Sequence, residues 1–138
     1  TTGAVLSPFD SYQLIRGLKT LSLRMERSTA NAQEIVAFLE QSPAVKEVLY
    51  TGRGGMISFK VADEKRIPHI LNTLKVFSFA ESLGGVESLI TYPTTQTHAD
   101  IPAEVRHSYG LTDDLLRLSI GIEDARDLIE DLRQALEG

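Results

Sequence analysis

Cysteine is absent from this 138-residue sequence, and excess positive charge and long apolar runs are absent as well. Without cysteine there is no disulfide, no thiolate nucleophile and no cysteine-based zinc site. Because 14 Lys and Arg face 19 Asp and Glu, the net charge is −5 and a nucleic-acid partner is not expected. No stretch approaches the roughly 18 consecutive apolar residues of a membrane span, and nothing resembles a signal peptide. We therefore expect a cytoplasmic protein with no membrane partner.

Residues typical of metal sites and catalytic triads are also few. The three histidines are His69, His98 and His107, and no His-x-x-x-His pair occurs among them. Helical spacing spreads the acidic run of residues 123–131 around the solvated side of an amphipathic helix. The glycine-rich segment 51–55 lacks the Lys and Ser/Thr of a phosphate loop, so a turn is favoured there. We predict no metal site and no catalytic residue in this chain.

The first third of the sequence predicts an unusually long helix. Ser7 three residues before Asp10 forms a capping box, and Pro8 suits the first helical position. Apolar residues then recur at helical spacing, and no proline intervenes before Pro43. We predict one helix, or two joined by a kink, over residues 9–41, with an apolar stripe formed by Leu14, Leu18, Leu21 and Met25. Such a rod usually runs between two domains, and its stripe predicts a missing partner domain and a homo-oligomer.

The remaining residues predict an α+β fold, a sheet of about four strands with helices on one face. Alternating apolar residues and turn signals indicate the strands and helices. The predicted strands cover residues 45–50, 56–61, 76–80 and 115–122. The predicted helices are a short one after Asp63, another over residues 102–109 and a third from Ala125, while residues 91–100 are expected to form an irregular loop. We divide the chain into residues 1–41, a linker with the long helix, and residues 42–138, a small domain.

Arg117 is the most informative charged residue, because it lies in the middle of an apolar strand. Alternation places it on the face opposite Leu116 and Leu118, with Ser119 on its own face, where that hydroxyl is able to help hold the guanidinium. Burial of an unpaired guanidinium is expensive, so Arg117 must meet an acid, a partner chain or an anionic ligand. A salt bridge or a solvent-facing edge strand stays open beside a bidentate clamp on a carboxylate.

A second notable segment contains Ser82 and two adjacent glycines, Gly84 and Gly85. Paired glycines in an apolar strand context usually mark a bulge or a close approach of another backbone. A plain bulge is the simpler interpretation of this pattern, and it stays open.

Seven motifs in order resemble the C-terminal domain of the pyridoxal-phosphate (PLP)-dependent transsulfuration enzymes, the cystathionine γ-synthase and γ-lyase group. They cover nearly the whole chain. The motifs are GAVLSPFDSY at 3–12, RGLKTL at 16–21, LRM at 23–25, GGMISF at 54–59, ESLGGVESL at 81–89, THA at 97–99 and LRLSIGIED at 116–124. The resemblance implies the C-terminal domain of fold-type I PLP enzymes, preceded by a long interdomain helix.

The resemblance also implies a substrate site. Arg117 resembles the arginine that holds the substrate α-carboxylate, Ser82 the serine beside it, and Thr97 a threonine lining the same pocket. Glu81 resembles the position at which members differ by reaction, and an acid there is similar to the γ-synthase and γ-lyase type. The implied substrate is a sulfur-containing amino acid that undergoes elimination or replacement, and the implied partner is the missing N-terminal domain that holds PLP.

Two departures from the family pattern qualify this interpretation. The Schiff-base lysine of the family, in a Ser-x-Thr-Lys context, has no match in this sequence, so the chain alone is expected to bind no cofactor and to be inactive. The segment 51–55 is shorter than its counterpart in the family. A free-standing amino-acid-binding or oligomerisation module is the alternative. The encoding reading frame separates the two: an upstream domain with the lysine favours an enzyme, and a start codon near Thr1 favours a module.

Overall fold

The computed structural model describes residues 3–138, so the first two residues of the predicted segment 1–41 lie outside the described residues. The described chain forms one mixed sheet with the strand order β1-β2-β5-β4-β3, in which only β3 and β4 are parallel. The strands are β1 Val45–Tyr50, β2 Met56–Val61, β3 Ser78–Phe79, β4 Leu89–Thr91 and β5 Leu115–Ser119. The helices are α1 Pro8–Leu18, α2 Leu21–Gln41, α3 Ile67–Thr73, α4 Ala103–Ser108 and α5 Ala125–Glu137, and a 3₁₀ turn, Glu64–Arg66, leads into α3.

The predicted long helix consists of two helices. The capping box is present, because the Ser7 hydroxyl accepts a hydrogen bond from the Asp10 N–H at 3.1 Å and Pro8 opens α1. At the break after α1, Arg24 of α2 donates from Nη2 to the Gly17 carbonyl at 2.8 Å. No residue of α1 is buried, whereas α2 buries one face from Ser28 onward. The N-terminal half of this region therefore lies outside the core.

The β1–β2 hairpin has the predicted bounds. β2 alternates along its whole length, and β1 alternates from Glu47 onward, after a register shift between Val45 and Glu47. Its turn contains Gly52 and Gly54 at φ 88° and 79°, a region that favours glycine. The turn is attached to the chain around it, since the Tyr50 hydroxyl donates to the Gly54 carbonyl at 2.9 Å and the Gly54 N–H donates to Thr29 Oγ1 at 3.0 Å. Because Thr29 belongs to α2, the hairpin and the helix hold each other in place.

The core lies between one face of the sheet and the helices α2, α3 and α5, as predicted. Alternate residues of β2 and β5 supply the sheet side of this core, and stripes of the three helices supply the other side. The core residues of β2 and β5 at 0–2% exposure are Ile57, Phe59, Val61, Leu116 and Leu118, and Ile120, directly after β5, is 2% exposed. Arg117 lies on the opposite face of the sheet, away from this core.

Three strand predictions differ from the structure. The predicted strand 76–80 is reduced to Ser78–Phe79, and the predicted strand 115–122 ends at Ser119. The strand β4 was not predicted: it is buried on both faces, so its short apolar run does not alternate. The α+β class is confirmed, with five strands instead of about four. Within residues 3–138, no helix is both long enough and apolar enough to cross a membrane.

Candidate functional site

Arg117 lies at the centre of the sheet. It is half-buried in β5, the middle strand, and its Cα pairs with Ser58 of β2 and Thr91 of β4. Its neighbours Leu116 and Leu118 are both 0% exposed on the core face, so Arg117 lies on the opposite face, as the alternation predicts. Because β5 has a neighbour on each side, the interpretation of Arg117 as an edge-strand residue is wrong.

The Arg117 guanidinium has a single hydrogen-bond partner among residues 3–138. Its Nη2 donates to Thr91 Oγ1 at 3.4 Å, which is a long bond. Arg117 takes part in none of the Lys, Arg or His contacts with a carboxylate that are found among the same residues. A guanidinium with five donors and one neutral partner is therefore able to accept an anion.

Thr91 connects Arg117 to the segment that precedes Ser82. The Thr91 hydroxyl accepts from Arg117 and donates to the Ala80 carbonyl at 3.0 Å. Ala80 is followed directly by Glu81 and Ser82, which are exposed and whose side chains make no hydrogen bond within the described residues. The structure thus brings the start of the segment 81–87 to the face of the sheet that carries Arg117.

Ser119 contributes to this face in a way that the sequence did not indicate. Its hydroxyl accepts from the Gly84 N–H at 2.9 Å, and Gly84 has a φ of 75°. The expectation that Ser119 helps to hold the Arg117 guanidinium is replaced by this contact, and Thr91 makes the contact to Arg117 instead. The simpler interpretation of Gly84 as a plain bulge is replaced as well, because its backbone binds the side chain of another strand.

No hydrogen bond joins Thr97 to Arg117 within residues 3–138. It lies in the loop after β4, is exposed, and its hydroxyl is 2.7 Å from Nδ1 of His98. The same loop is held by Arg106, whose Nη1 donates to the Thr94 carbonyl at 3.0 Å. A role for Thr97 in the site stays a prediction.

The lysines of the described chain do not provide a site for PLP. The family cofactor requires a lysine that forms an imine, and such an amine has to be neutral to react. Lys60 donates to Glu47 at 2.6 Å, and this hydrogen bond raises the pKa of Lys60. Lys46 is paired with Asp114, and Lys19, Lys65 and Lys75 are exposed. These residues therefore do not fit the imine-forming lysine of the cofactor site.

No group of three or more His, Asp or Glu side chains within residues 3–138 is arranged to hold a metal ion. The sequence does not indicate the contacts of Thr91, which binds Arg117, or of Glu123, which binds Ser88. Thr91 is the polar member of a short apolar strand, which is a weak signal. Helical spacing predicts Glu123 on the solvated side of a helix, whereas its carboxylate binds Ser88 in the structure. No local pattern indicates that contact, because Ser88 and Glu123 are far apart in the sequence.

Comparison with known proteins gives consistent results. The family model described as Cys/Met metabolism PLP-dependent enzyme matches residues 1–137. A cystathionine γ-synthase/O-acetylhomoserine (thiol)-lyase of Bacillus subtilis (strain 168) is 60% identical over 97% of this chain and 36% of its own length. A cystathionine γ-lyase of the same organism is 50% identical over 99% of this chain and 40% of its own length.

A solved structure supports the same assignment. The crystal structure of a cystathionine γ-lyase from Micromonospora echinospora is 38% identical, with a TM-score of 0.93 over 99% of this chain and 40% of that chain. This chain therefore spans less than half the length of these three relatives.

Proposed function

The chain belongs to the Cys/Met metabolism PLP-dependent enzymes, and we propose that it is the part of such an enzyme that binds the substrate α-carboxylate. It matches the C-terminal part of enzymes of the cystathionine γ-synthase and γ-lyase type. The observation that carries the proposal is Arg117, a half-buried guanidinium on the central strand with one neutral hydrogen-bond partner in the described chain. In this family, the anion expected at Arg117 is the carboxylate of the amino-acid substrate.

The geometry of the guanidinium suits a carboxylate. Its planar fork donates two parallel hydrogen bonds, and charged hydrogen bonds are shorter and stronger than neutral ones. Ser82 would donate a hydrogen bond from its hydroxyl to the same carboxylate, and Thr97, in the loop after β4, would line the pocket. Glu81, adjacent to Ser82, would face the substrate side chain. Pyridoxal phosphate, held by the rest of the enzyme, supplies the electron sink of the reaction.

Alignment lengths support a γ-synthase type of reaction in the whole enzyme. The alignment with the Bacillus subtilis cystathionine γ-synthase/O-acetylhomoserine (thiol)-lyase spans 134 positions for 97% of this chain, so it needs almost no gap. The alignment with the γ-lyase of that organism spans 153 positions, more than the 138 residues of the chain, so the γ-lyase has additional residues. We propose replacement at the γ-carbon of an O-acetylhomoserine type of substrate.

Exposed apolar residues near the N-terminus support a contact with a larger domain. α1 and the start of α2 expose several large apolar side chains, and such surfaces are usually covered. They include Phe9, Leu14, Ile15, Leu18, Leu23 and Met25, at 46–68% exposure. We propose that residues 1–41 connect the small domain, residues 42–138, to the domain that holds the cofactor, in a cytoplasmic metabolic enzyme.

The proposal predicts that Arg117→Lys weakens substrate binding. We would exchange the matching segment of the 60%-identical Bacillus subtilis relative for this chain and measure kcat and KM for its amino-acid substrate. An ammonium does not make the two parallel hydrogen bonds of the fork, and each charged bond is worth roughly 1.5–3 kcal/mol. We expect KM to rise by about one to two orders of magnitude. The matched control, Arg133→Lys on the exposed side of α5, should leave KM unchanged.

The same substitution should have little effect on the folding of the chain alone. Substitutions away from the core usually change the free energy of unfolding by no more than about 0.5 kcal/mol. Urea unfolding of the 138-residue chain measures this change. An unchanged KM together with an unfolded chain would show that Arg117 has a structural role and would contradict the proposal.

A further inference from the structure

The exposed segment of residues 81–87 lies between β3 and β4 and contains no helix or strand. It contains Glu81 and Ser82, which the proposed function places at the substrate. An exposed segment without its own ladder hydrogen bonds needs external anchors to keep one conformation. One anchor is the Ser119 hydroxyl, which accepts from the Gly84 N–H. The other anchors lie at residues 86–88, where the chain leads into β4.

Glu123 provides the strongest of these anchors. Its Oε1 accepts from the Ser88 N–H at 2.6 Å, and its Oε2 accepts from the Ser88 hydroxyl at 2.9 Å. Ser88 is 0% exposed, and its hydroxyl also accepts from the buried Gly121 N–H at 2.9 Å. Because water is excluded from Ser88, loss of one of these partners would leave a buried polar group unsatisfied. The carboxylate therefore fixes the residue that ends the segment.

Gly121 lets the segment pack directly against the chain that follows β5. A Cβ on Gly121 would clash with the Val86 carbonyl oxygen, so only glycine leaves room for this approach. The next residue, Ile122, donates its N–H to the same carbonyl at 2.9 Å. The backbone from Val86 to Ser88 is thus attached to residues 121–123 at several points.

Glu123 is itself held from the other side by α2. Asn31, at 0% exposure, donates from Nδ2 to the Glu123 carbonyl at 2.9 Å and to the Gly121 carbonyl at 3.2 Å. Arg27 donates from Nη2 to the Glu123 carbonyl at 3.0 Å. Two α2 side chains therefore hold the backbone of Glu123, and its carboxylate binds Ser88.

We propose that Glu123 is a positioning residue that holds the segment 81–87 over the face of Arg117 and thereby sets the affinity for the substrate. The inference rests on the proposed function, because it assumes that this face binds the substrate carboxylate. Glu123 does not touch the substrate: it acts through Ser88 and the backbone of residues 86–88. It follows that loss of its carboxylate should weaken substrate binding more than it slows turnover.

The first test measures amide hydrogen exchange in the 138-residue chain. Glu123→Gln replaces one acceptor oxygen with an NH₂ group, so one of the two Ser88 donors loses its partner. We expect exchange at Ser88 and Gly121 to accelerate about tenfold or more, while the Phe59 amide in the β2 ladder is unchanged. Asp127→Asn, an exposed neighbour with the same change of charge, is the control. Unchanged exchange at Ser88 would overturn the inference.

The second test measures kcat and KM in the exchanged Bacillus subtilis enzyme. We expect Glu123→Gln to raise KM about tenfold, which corresponds to one hydrogen bond to a charged group, and to change kcat less than about twofold. Faster exchange with a normal KM, in an enzyme where Arg117→Lys does raise KM, overturns the inference alone. A normal KM in both variants contradicts the proposed function instead.

Ser88→Ala keeps the proposal testable if Glu123→Gln does not fold. It removes the hydroxyl and leaves the Ser88 N–H on Glu123, so we expect a smaller rise in KM with the same small effect on kcat. If both variants unfold the chain, Glu123 has a structural role and the inference fails.

Discussion

At the scale of single residues, Thr91 shows how one hydroxyl joins two parts of the site. It accepts from the Arg117 guanidinium and donates to the Ala80 carbonyl, so it uses both functions of a hydroxyl. At 1% exposure it receives little competition from water. A valine of the same shape would keep the packing and lose both bonds. The position of Arg117 relative to the segment 81–87 therefore depends on a side chain that need not touch the substrate.

A second residue, Asp124, predicts a pH dependence of stability. It caps α5, accepting from the Arg126 N–H at 2.9 Å, and the Arg126 guanidinium donates to both of its oxygens at 3.1 and 3.2 Å. The side-chain hydrogen bond from Arg126 lowers the pKa of Asp124 to about 2. Since the unfolded value is about 3.9, the charged form stabilises the folded chain above that pH.

We expect the stabilisation from Asp124 to disappear as the pH falls from about 4 to about 2. Asp124→Asn keeps an acceptor oxygen for the cap and removes the charge. Urea unfolding of both chains between pH 7 and pH 2 measures the difference in their free energies of unfolding. The natural chain should be more stable at neutral pH, and the two should converge near pH 2. A difference that does not depend on pH would contradict this account.

At the scale of elements, α5 fixes the approach to the shortest strand. Asp131, at 5% exposure, accepts from the backbone N–H groups of Lys75, Val76 and Phe77 at 2.8, 2.8 and 3.0 Å. These residues lead directly into β3, which pairs with β4 over only two residues. The two oxygens of this carboxylate thus accept hydrogen bonds from three backbone N–H groups that take part in no strand ladder. The position of β3 therefore depends on a helix side chain as well as on its two-residue ladder.

Asp131→Asn should consequently destabilise the chain. The amide has one oxygen, and its NH₂ group would face backbone donors that then lack a partner. We expect the free energy of unfolding to fall by about 1–3 kcal/mol in urea denaturation. Glu130→Gln, at the exposed Arg133 pair next to it, should change this free energy by less than about 1 kcal/mol. Equal effects of the two substitutions would show that the Asp131 contacts are weak.

The same elements show where sequence patterns predict structure and where they do not. The bounds of β1 and β2 are predictable because alternation and two turn glycines are local signals. β4 is not, because a strand buried on both faces has no alternation and three residues are too few to distinguish it from a loop. The shortening of β3 likewise has no local signal, since its contacts with Asp131 come from a distant helix.

The candidate site also contains residues that the sequence predicts and residues that it does not. Arg117 is predictable, because a charged residue inside an apolar strand is unusual by itself. Ser82 and Glu81 follow from the family resemblance, and their role stays a prediction. The contacts of Thr91 and Glu123 depend on which strands are neighbours and on their register, which the sequence of each segment does not contain.

At the scale of the whole molecule, α1 and the start of α2 expose a run of large apolar side chains. The predicted stripe, Leu14, Leu18, Leu21 and Met25, is 39–63% exposed, and α1 buries no residue in the described chain. The core, by contrast, is closed by α2, α3 and α5. Exposed apolar surface of this kind is usually covered by another domain or another chain.

We therefore expect the 138-residue chain to self-associate. Its mass measured by light scattering should rise with concentration, because two copies can cover each other's apolar stripes. Leu14→Lys combined with Leu18→Glu should reduce this association without changing the core, since both residues are exposed. A mass that stays that of a monomer at high concentration would count against the prediction.

The central claim is that Arg117 binds the substrate α-carboxylate, and inhibition by a pair of unreactive analogues tests it most directly. In the exchanged Bacillus subtilis enzyme, we would measure Ki for norleucine and for its carboxamide, which lacks the negative charge. The account predicts that Arg117→Lys raises Ki for norleucine about tenfold or more and changes Ki for the carboxamide less than about twofold. An equal change in both inhibition constants would contradict the account, because Arg117 would then not interact with the carboxylate.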